Sequence, residues 1–374
     1  MVKLLHFSDT HLGYAEYNRI DPVTGINQRE QDFYNAWQQV IDAIFIHHPD
    51  IVVHTGDLFH TPRPSNRAIR IALESIQKIS EAGIPLVIIS GNHETPRIKA
   101  TGSIFESIAL FNNVYTAYNS VYERFRVKGC DFHCVPHCSL SEELEAAFAA
   151  VTLAPDAAKN VFLTHGAWSG KQVYEMGEFN EQRIPDVEGA LGIHFDYVAL
   201  GHYHKRLEVT PNACYCGSTE RTSMNEAGNT CGYLLVDLEN GARTYHEINT
   251  RPMFRLPAVN CQGKTAALIY AELQQLMRPE MEQAMVSLTL ENIESSAFLK
   301  LDMREIDAIF APVFYLQKTI LRETTGNEQL VTGSRIESLA VEFDRYLDSI
   351  EMPDLNKKRL RELGLRYLTG SGQV

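Results

Sequence analysis

No stretch of about 18 consecutive apolar residues occurs in this chain, so no segment is expected to span a bilayer. The first residues, Met1-Val2-Lys3-Leu4-Leu5, pass directly into an apolar strand and a polar turn. They lack the long apolar region and small-residue cleavage site of an export signal, so the protein is expected in the cytoplasm. Cysteine is scarce: seven in 374 residues, never spaced C-x-x-C. That usage argues against a disulfide framework and a thiolate zinc site, and for reduced, largely buried thiols. Cations are also short, with 34 Lys and Arg against 47 Asp and Glu, a net charge of −13. That argues against non-specific binding of a polyanion over the whole surface, but does not exclude a local basic channel or bound cations that reverse the local field. Two tryptophans contrast with fourteen histidines, and where those histidines fall directs the reading.

They fall at the ends of apolar strands. Leu4-Leu5-His6-Phe7 reads as a buried strand and runs into Ser8-Asp9-Thr10-His11-Leu12-Gly13. Ile51-Val52-Val53-His54-Thr55 runs into Gly56-Asp57-Leu58-Phe59-His60, and Pro85 to Ile89 into Ser90-Gly91-Asn92-His93-Glu94. Val161 to Thr164 ends in His165-Gly166, and Tyr197 to Leu200 in Gly201-His202-Tyr203-His204. In open α/β sheets, ligands bind beyond the carboxyl ends of strands, and here five such ends carry polar residues. Asp9 and His11, two positions apart, share one face if strand geometry persists.

Between these strands lie helices. Phe33, Ala36, Trp37, Val40, Ile41 and Ile44 form one apolar stripe, read as core packing. Ser65 caps a helix running to Ala82 and stopped by Gly83. Arg97 to Phe111 is expected to be helical, and Leu144 to Ala150 part of a helix. Phe132 to Val135 reads as a strand, while Cys214 to Ser218 and Gly232 to Leu238 read as late strands of a second sheet. Near Arg251-Pro252 the style changes to a small strand–helix–strand–helix–strand unit. Ser334-Arg335-Ile336-Glu337 is a capping box opening a last amphipathic helix, followed by basic residues including Lys358, Arg359 and Arg361. The expected domains are 1–250, 251–325, and a linker with C-terminal helix over 326–374.

The five strand ends supply Asp9, His11, Asp57, Asn92, His93, His165, His202 and His204. Mixed nitrogen and oxygen donors without thiolate suit Mn, Fe or Zn better than Ca. Asp57 is the central candidate to bridge two ions. Asp9, His11 and one histidine of the 201–204 turn would complete one site. Asn92, His165 and the other histidine would complete the second. Two ions about 3.5–4 Å apart can activate water and clamp a phosphate, with His93 as proton donor or charge stabiliser.

This ordered set, D-x-H, G-D, G-N-H, H and G-H-x-H, resembles the calcineurin-like metallophosphoesterases. Ser8 to Gly13, Gln28 to Phe33, and Gly56 to His60 with Arg63-Pro64 narrow the resemblance to DNA double-strand-break repair nucleases of the SbcD type. The resemblance implies an α/β metallophosphoesterase fold, a two-sheet β-sandwich flanked by helices, with a smaller α+β capping domain and a C-terminal helix. It implies two Mn ions per subunit, with Fe, Zn or Mg as alternatives. Asp9, His11, Asp57 and His204 would hold one; Asp57, Asn92, His165 and His202 the other. His93 would act on the leaving group, and His60 would position it or the DNA. Glu94 departs from the family's more usual aspartate, which bears on how His93 is oriented.

The implied activity is 3′-to-5′ exonuclease and single-strand or hairpin endonuclease. The implied partners are DNA, a second copy of the chain, and a coiled-coil ATPase of the SbcC type docking on the last helix. The homodimer would use the helices after Pro64 and Arg97. Arg19, Arg29, Arg63, Arg67, Arg97, Lys99, Lys205 and Arg206 are the candidate phosphate contacts. A phosphoesterase for nucleotides or phosphoproteins is the competing reading, and a chain that only tethers the ATPase is a third.

Overall fold

The computed structural model describes residues 2–96, 98–154, 156–169, 181–322, 343, 347 and 358–361. Two six-stranded sheets form its larger part. In the first, β1 (Lys3–Phe7), β2 (Ile51–Thr55), β3 (Leu86–Ile89) and β4 (Val114–Ala117) run parallel. β13 (Gly232–Asp237) pairs antiparallel with β1, and β14 (Arg243–Glu247) with β13. In the second, β6 (Cys130–Val135), β7 (Lys159–His165), β10 (Tyr197–Gly201) and β12 (Ala213–Tyr215) are parallel. β5 (Glu123–Val127) and β11 (Leu207–Glu208) close its edges antiparallel. A short ladder joins β8 (Ala167–Trp168) to β9 (Arg183–Ile184).

Period-2 alternation of apolar residues builds both faces. Leu4, Ile51, Val53 and Val87 meet Phe132, Val161, Leu163 and Ala199 between the sheets. Leu5, Phe7 and Val52 turn the other way, under Trp37, Val40 and Ile44 of α1 (Gln28–His47) and Ala72 and Ile76 of α2 (Asn66–Glu81). The outer face of the second sheet is covered from α4 (Ser141–Ala149) and α5 (Val187–Leu191). Each fully buried Leu, Ile, Val or Phe contributes about 1.5–3 kcal/mol relative to exposure. The helix starts follow the sequence. Asn27 accepts from the N–H groups of Arg29 and Glu30, Ser65 accepts from that of Ala68, and α2 ends before Gly83 at φ +72°. All seven cysteines are buried thiols.

Two expectations fail. Gly232 to Leu238 is a strand, but it joins the first sheet. An alternating strand carries no mark of which sheet it will enter. Arg97 to Phe111 is broken: among its described residues only a 3₁₀ turn at Lys99–Thr101 and the short α3 (Phe105–Ile108) form. Gly102, at φ +72°, interrupts the run.

Beyond residue 250, β15 (Met253–Arg255), β16 (Val259–Asn260), β17 (Met285–Ile293) and β18 (Tyr315–Arg322) form a parallel sheet. β15 and β16 flank the same strand in succession, separated by Pro257, which has no N–H to continue a ladder. α6 (Ala266–Leu276), α7 (Ser295–Phe298) and α8 (Met303–Ile309) surround an apolar core centred on Ile269, Leu273, Leu288 and Ile306. The expected linker, and the last helix apart from Phe343, Leu347 and 358–361, lie outside the described residues.

Candidate metal centre

β1, β2 and β3 are neighbours and parallel, as are β7 and β10 in the facing sheet, so five carboxyl ends reach one rim. Asp9 and His11 do not converge by strand alternation, because β1 has already ended at Phe7. Instead Asp9, His11, Asp57 and His202 all have positive φ, at 51°, 42°, 55° and 111°. Left-handed backbone at non-glycine residues is uncommon and is strain held in place by its surroundings. Here the first two loops hold each other: the N–H groups of Asp9, His11 and Leu12 donate to the carbonyls of Gly56, Asp57 and Leu58 at 3.0, 3.0 and 2.9 Å.

Glycine lets the two sheet edges close. A Cβ at Gly91 would lie 2.2 Å from Oδ1 of Asp57, and one at Gly201 would lie 2.0 Å from the carbonyl oxygen of Thr55. No side chain fits at either position.

All eight strand-end residues assemble around this rim, with His60 beside them. Nε2 of His11 and Nε2 of His204 are 2.9 Å apart. Oδ2 of Asp57 lies 3.8 Å from Nε2 of His11 and 3.4 Å from Nε2 of His165. Nε2 of His165 also lies 2.9 Å from Oδ1 of Asn92. Both oxygens of Asp9 accept from the His202 N–H, at 3.0 and 3.2 Å. The donor atoms of Asp9, His11 and His204 form one compact trio, and those of Asp9, Asp57 and His165 another. His93 is half-buried; its backbone N–H donates to Oδ1 of Asp57 at 3.0 Å. Its Nδ1 meets the His60 carbonyl at 3.0 Å, and the His60 ring stacks on it at 5.0 Å.

The electrostatics separate the two carboxylates. Burial raises the pKa of Asp9, partly offset by His165 and His204. Burial opposes the charge of Asp57 too, but His165, His93 and His11 hold its carboxyl well below the usual carboxylate range. Oδ2 of Asp57 is nonetheless buried without a hydrogen-bond partner, as is Nδ1 of His202. Orphaned polar atoms this deep require an explanation. The donor set fits one: several imidazoles and two carboxylates face a common space with no thiolate among them. A pair of divalent cations matches these residues.

Three supporting residues, Glu226, Glu181 and Thr55, were not legible from the chain. Oε1 of Glu226 lies 3.2 Å from Nδ1 of His204, and Oε1 of Glu181 lies 3.2 Å from Nε2 of His202. The carbonyl of Thr55 accepts from Nδ1 of His165 at 2.7 Å, which leaves Nε2 for the cluster. Oε1 of Glu94 accepts from the N–H groups of Gly91, at 2.8 Å, and Leu58, at 3.4 Å. Burial, with the Asp57 charge nearby, pushes the Glu94 carboxyl up to about 8. Glu94 thus clips two ligand loops together. Beyond the G-H-x-H turn, no short-range pattern ties Glu226 to His204.

One candidate DNA contact is removed. Arg29 is fully buried, its Nη1 2.8 Å from Asp32, its Nη2 3.6 Å from Glu220 and 2.6 Å from the carbonyl of Arg221. Arg19, Arg63 and Lys205 are exposed, while Arg67 pairs with Glu30 and Arg206 with Glu208. Arg97 and the Lys99 side chain lie outside what is described.

Residues 2–206 match the family described as Calcineurin-like phosphoesterase. Among curated relatives named DNA double-strand break repair protein Mre11, that of Thermoplasma acidophilum is 30% identical over 278 residues, 67% of this chain and 67% of the relative. The Sulfurisphaera tokodaii relative is 33% identical over 261 residues, 66% of this chain and 62% of its own length. The Haloferax volcanii relative is 30% identical over 298 residues, 78% and 61% respectively. The matched stretch thus spans about two thirds or less of each relative's length. Because the family match covers more than half of the chain and takes in every strand end that builds the cluster, the protein belongs to the calcineurin-like phosphoesterases.

Proposed function

We propose that the chain is the Mn-dependent nuclease subunit of a double-strand-break repair complex, hydrolysing DNA phosphodiesters by two-metal catalysis. One observation carries this reading: five loop tips distant in sequence meet at one rim, where the buried Oδ2 of Asp57 has no hydrogen bond and lies 3.8 Å from Nε2 of His11 and 3.4 Å from Nε2 of His165. The names of the relatives supply the substrate, DNA, and the repair setting.

In this reading Asp9, His11, Asp57 and His204 hold one ion, and Asp57, Asn92, His165 and His202 the other. When bound, such a pair supplies an activated water and offsets the charge of a phosphodiester. The chain's own residues do the rest. Asp9, His11, Asp57, His165, His202 and His204 are buried, whereas Asn92, His60 and His93 are half-buried. The substrate therefore approaches over Asn92, His60 and His93. A carbonyl only accepts, so Nδ1 of His93 carries the proton it shares with the His60 carbonyl. Nε2 then becomes the nitrogen that picks up a second proton and delivers it to the leaving oxygen. His60, stacked on His93 and edge-on to Tyr14 at 4.9 Å, fixes that ring in place.

Residues 1–250 form the nuclease domain in this reading, and 251–325 a capping domain that contacts the DNA backbone. The helix of 326–374 docks an ATPase of the SbcC type. A second copy would seat near the groove of about 860 Å³ beside Pro64, Ile69 and Ile104. The deciding experiment compares wild type with His93→Leu on end-labelled duplex, hairpin and single-stranded DNA in Mn²⁺. Loss of cleavage in the variant is expected. Equal cleavage removes the mechanism, and turnover of small phosphodiesters without DNA cutting replaces the substrate.

A further inference from the structure

We propose that Glu226 is a positioning residue for His204, and that its turn transmits the seating of the second domain to the metal centre. The inference rests on the two-ion reading above. Its basis is a continuous set of contacts. Nδ1 of His204 faces Oε1 of Glu226 at 3.2 Å, while Nε2 of the same ring faces His11. A carboxylate accepts but does not donate, so it selects the tautomer with the proton on Nδ1 and turns the Nε2 lone pair toward the cluster. Glu226 is itself fixed. Its Oε1 accepts from the hydroxyls of Thr222 and Ser223 at 2.6 and 3.2 Å, and its Oε2 from the Thr222 N–H at 3.1 Å.

The same turn is held from the far side. Met224 packs with Met253, Met285 and Phe314, three residues of the second domain. Nη2 of Arg255 donates to the carbonyl of Met224 and to Oδ1 of Asn225, both at 3.2 Å. Nη1 of Arg221 donates to Oγ1 of Thr250 and the carbonyl of Arg251, at 3.1 and 3.0 Å, where the chain enters the second domain. Residues 221–226 therefore have one face on the second domain and one carboxylate on a ligand histidine. A shift of the second domain moves Met224, and two residues later moves the group that orients His204.

The test measures Mn²⁺ binding by calorimetry on the full chain without DNA, alongside melting of the metal-free protein. Glu226→Gln presents an amide that accepts from Nδ1 less strongly and can donate against it. It is expected to weaken binding by about 10- to 100-fold, with Glu226→Asp recovering part of the loss. A role confined to holding the turn would lower the melting temperature and leave Mn²⁺ affinity unchanged, and that result overturns the proposal. Met224→Ala, remote from the cluster, is expected to lose affinity on the order of threefold. Wild-type affinity in Met224→Ala overturns the coupling. Absence of Mn²⁺ binding by the wild type overturns the metal centre itself, and the positioning role with it.

Discussion

The two-sheet sandwich and the four-stranded unit beyond residue 250 are made of the same parts, parallel strands joined through helices, yet their interiors differ in kind. The sandwich buries His6, Asp9, His11, Arg29, His54, Asp57, Glu94, His165, His202, His204 and Glu226. Among the described residues beyond 250, no polar or charged side chain is buried; that core is Leu, Ile, Val, Met, Phe, Ala and one cysteine. The repeated strand–helix pattern therefore does not carry the chemistry. What carries it is the glycine and the polar residues placed where a strand stops, and a cost in desolvation that the sandwich bears and the second domain does not.

That contrast can be broken in four ways. The largest effect is expected from Asp57→Ala, which removes the carboxylate lying between Nε2 of His11 and Nε2 of His165. Cleavage should fall about 1,000-fold or more, measured on labelled duplex DNA. Arg29→Met leaves Glu220 buried without its cation and should cost about 3–5 kcal/mol by urea unfolding. If it costs nothing, buried charge in the sandwich is not held by pairing. Leu288→Ala in the second domain should cost about 3 kcal/mol through cavity formation alone, with Mn²⁺ affinity preserved.

Acid gives the smallest effect per group, and it acts on one region. Burial lowers the pKa of His6 and His54 to about 3. The unfolded chain takes up these protons near the ordinary 6.5, so the unfolded state binds more protons between the two values. Stability is fully present above pH 6.5 and is lost as pH falls toward 3, on the order of 2 kcal/mol per histidine at pH 5. Both tryptophans, Trp37 and Trp168, lie in the sandwich, so their fluorescence follows that region alone. Its urea midpoint should drop between pH 7.5 and 5. Amide exchange along β17 should report no matching loss in the second domain.

The rim of the sandwich was legible because its signal is local. Gly56-Asp57, Gly91-Asn92-His93 and Gly201-His202-Tyr203-His204 each sit directly after an apolar run, and the structure brings all of them together. The helix caps at Ser65 and Gly83 were legible for the same reason. Long-range choices were not. Arg29 looked like a surface cation, and its burial is decided by Asp32 close by and Glu220 far along the chain. The strand at Gly232–Asp237 alternates equally well in either sheet, and only pairing with β1 settles its place. Glu226 lies on a 3₁₀ turn twenty-two residues past His204, where spacing says nothing about contact.

Gly91 and Gly201 stand where the two sheet edges meet, and a single methyl group at either would wedge the Asp57 carboxylate or the Thr55 carbonyl aside. Among the described residues, the half-buried members of the cluster are Asn92, His60 and His93, so its solvent-facing side is the one they line.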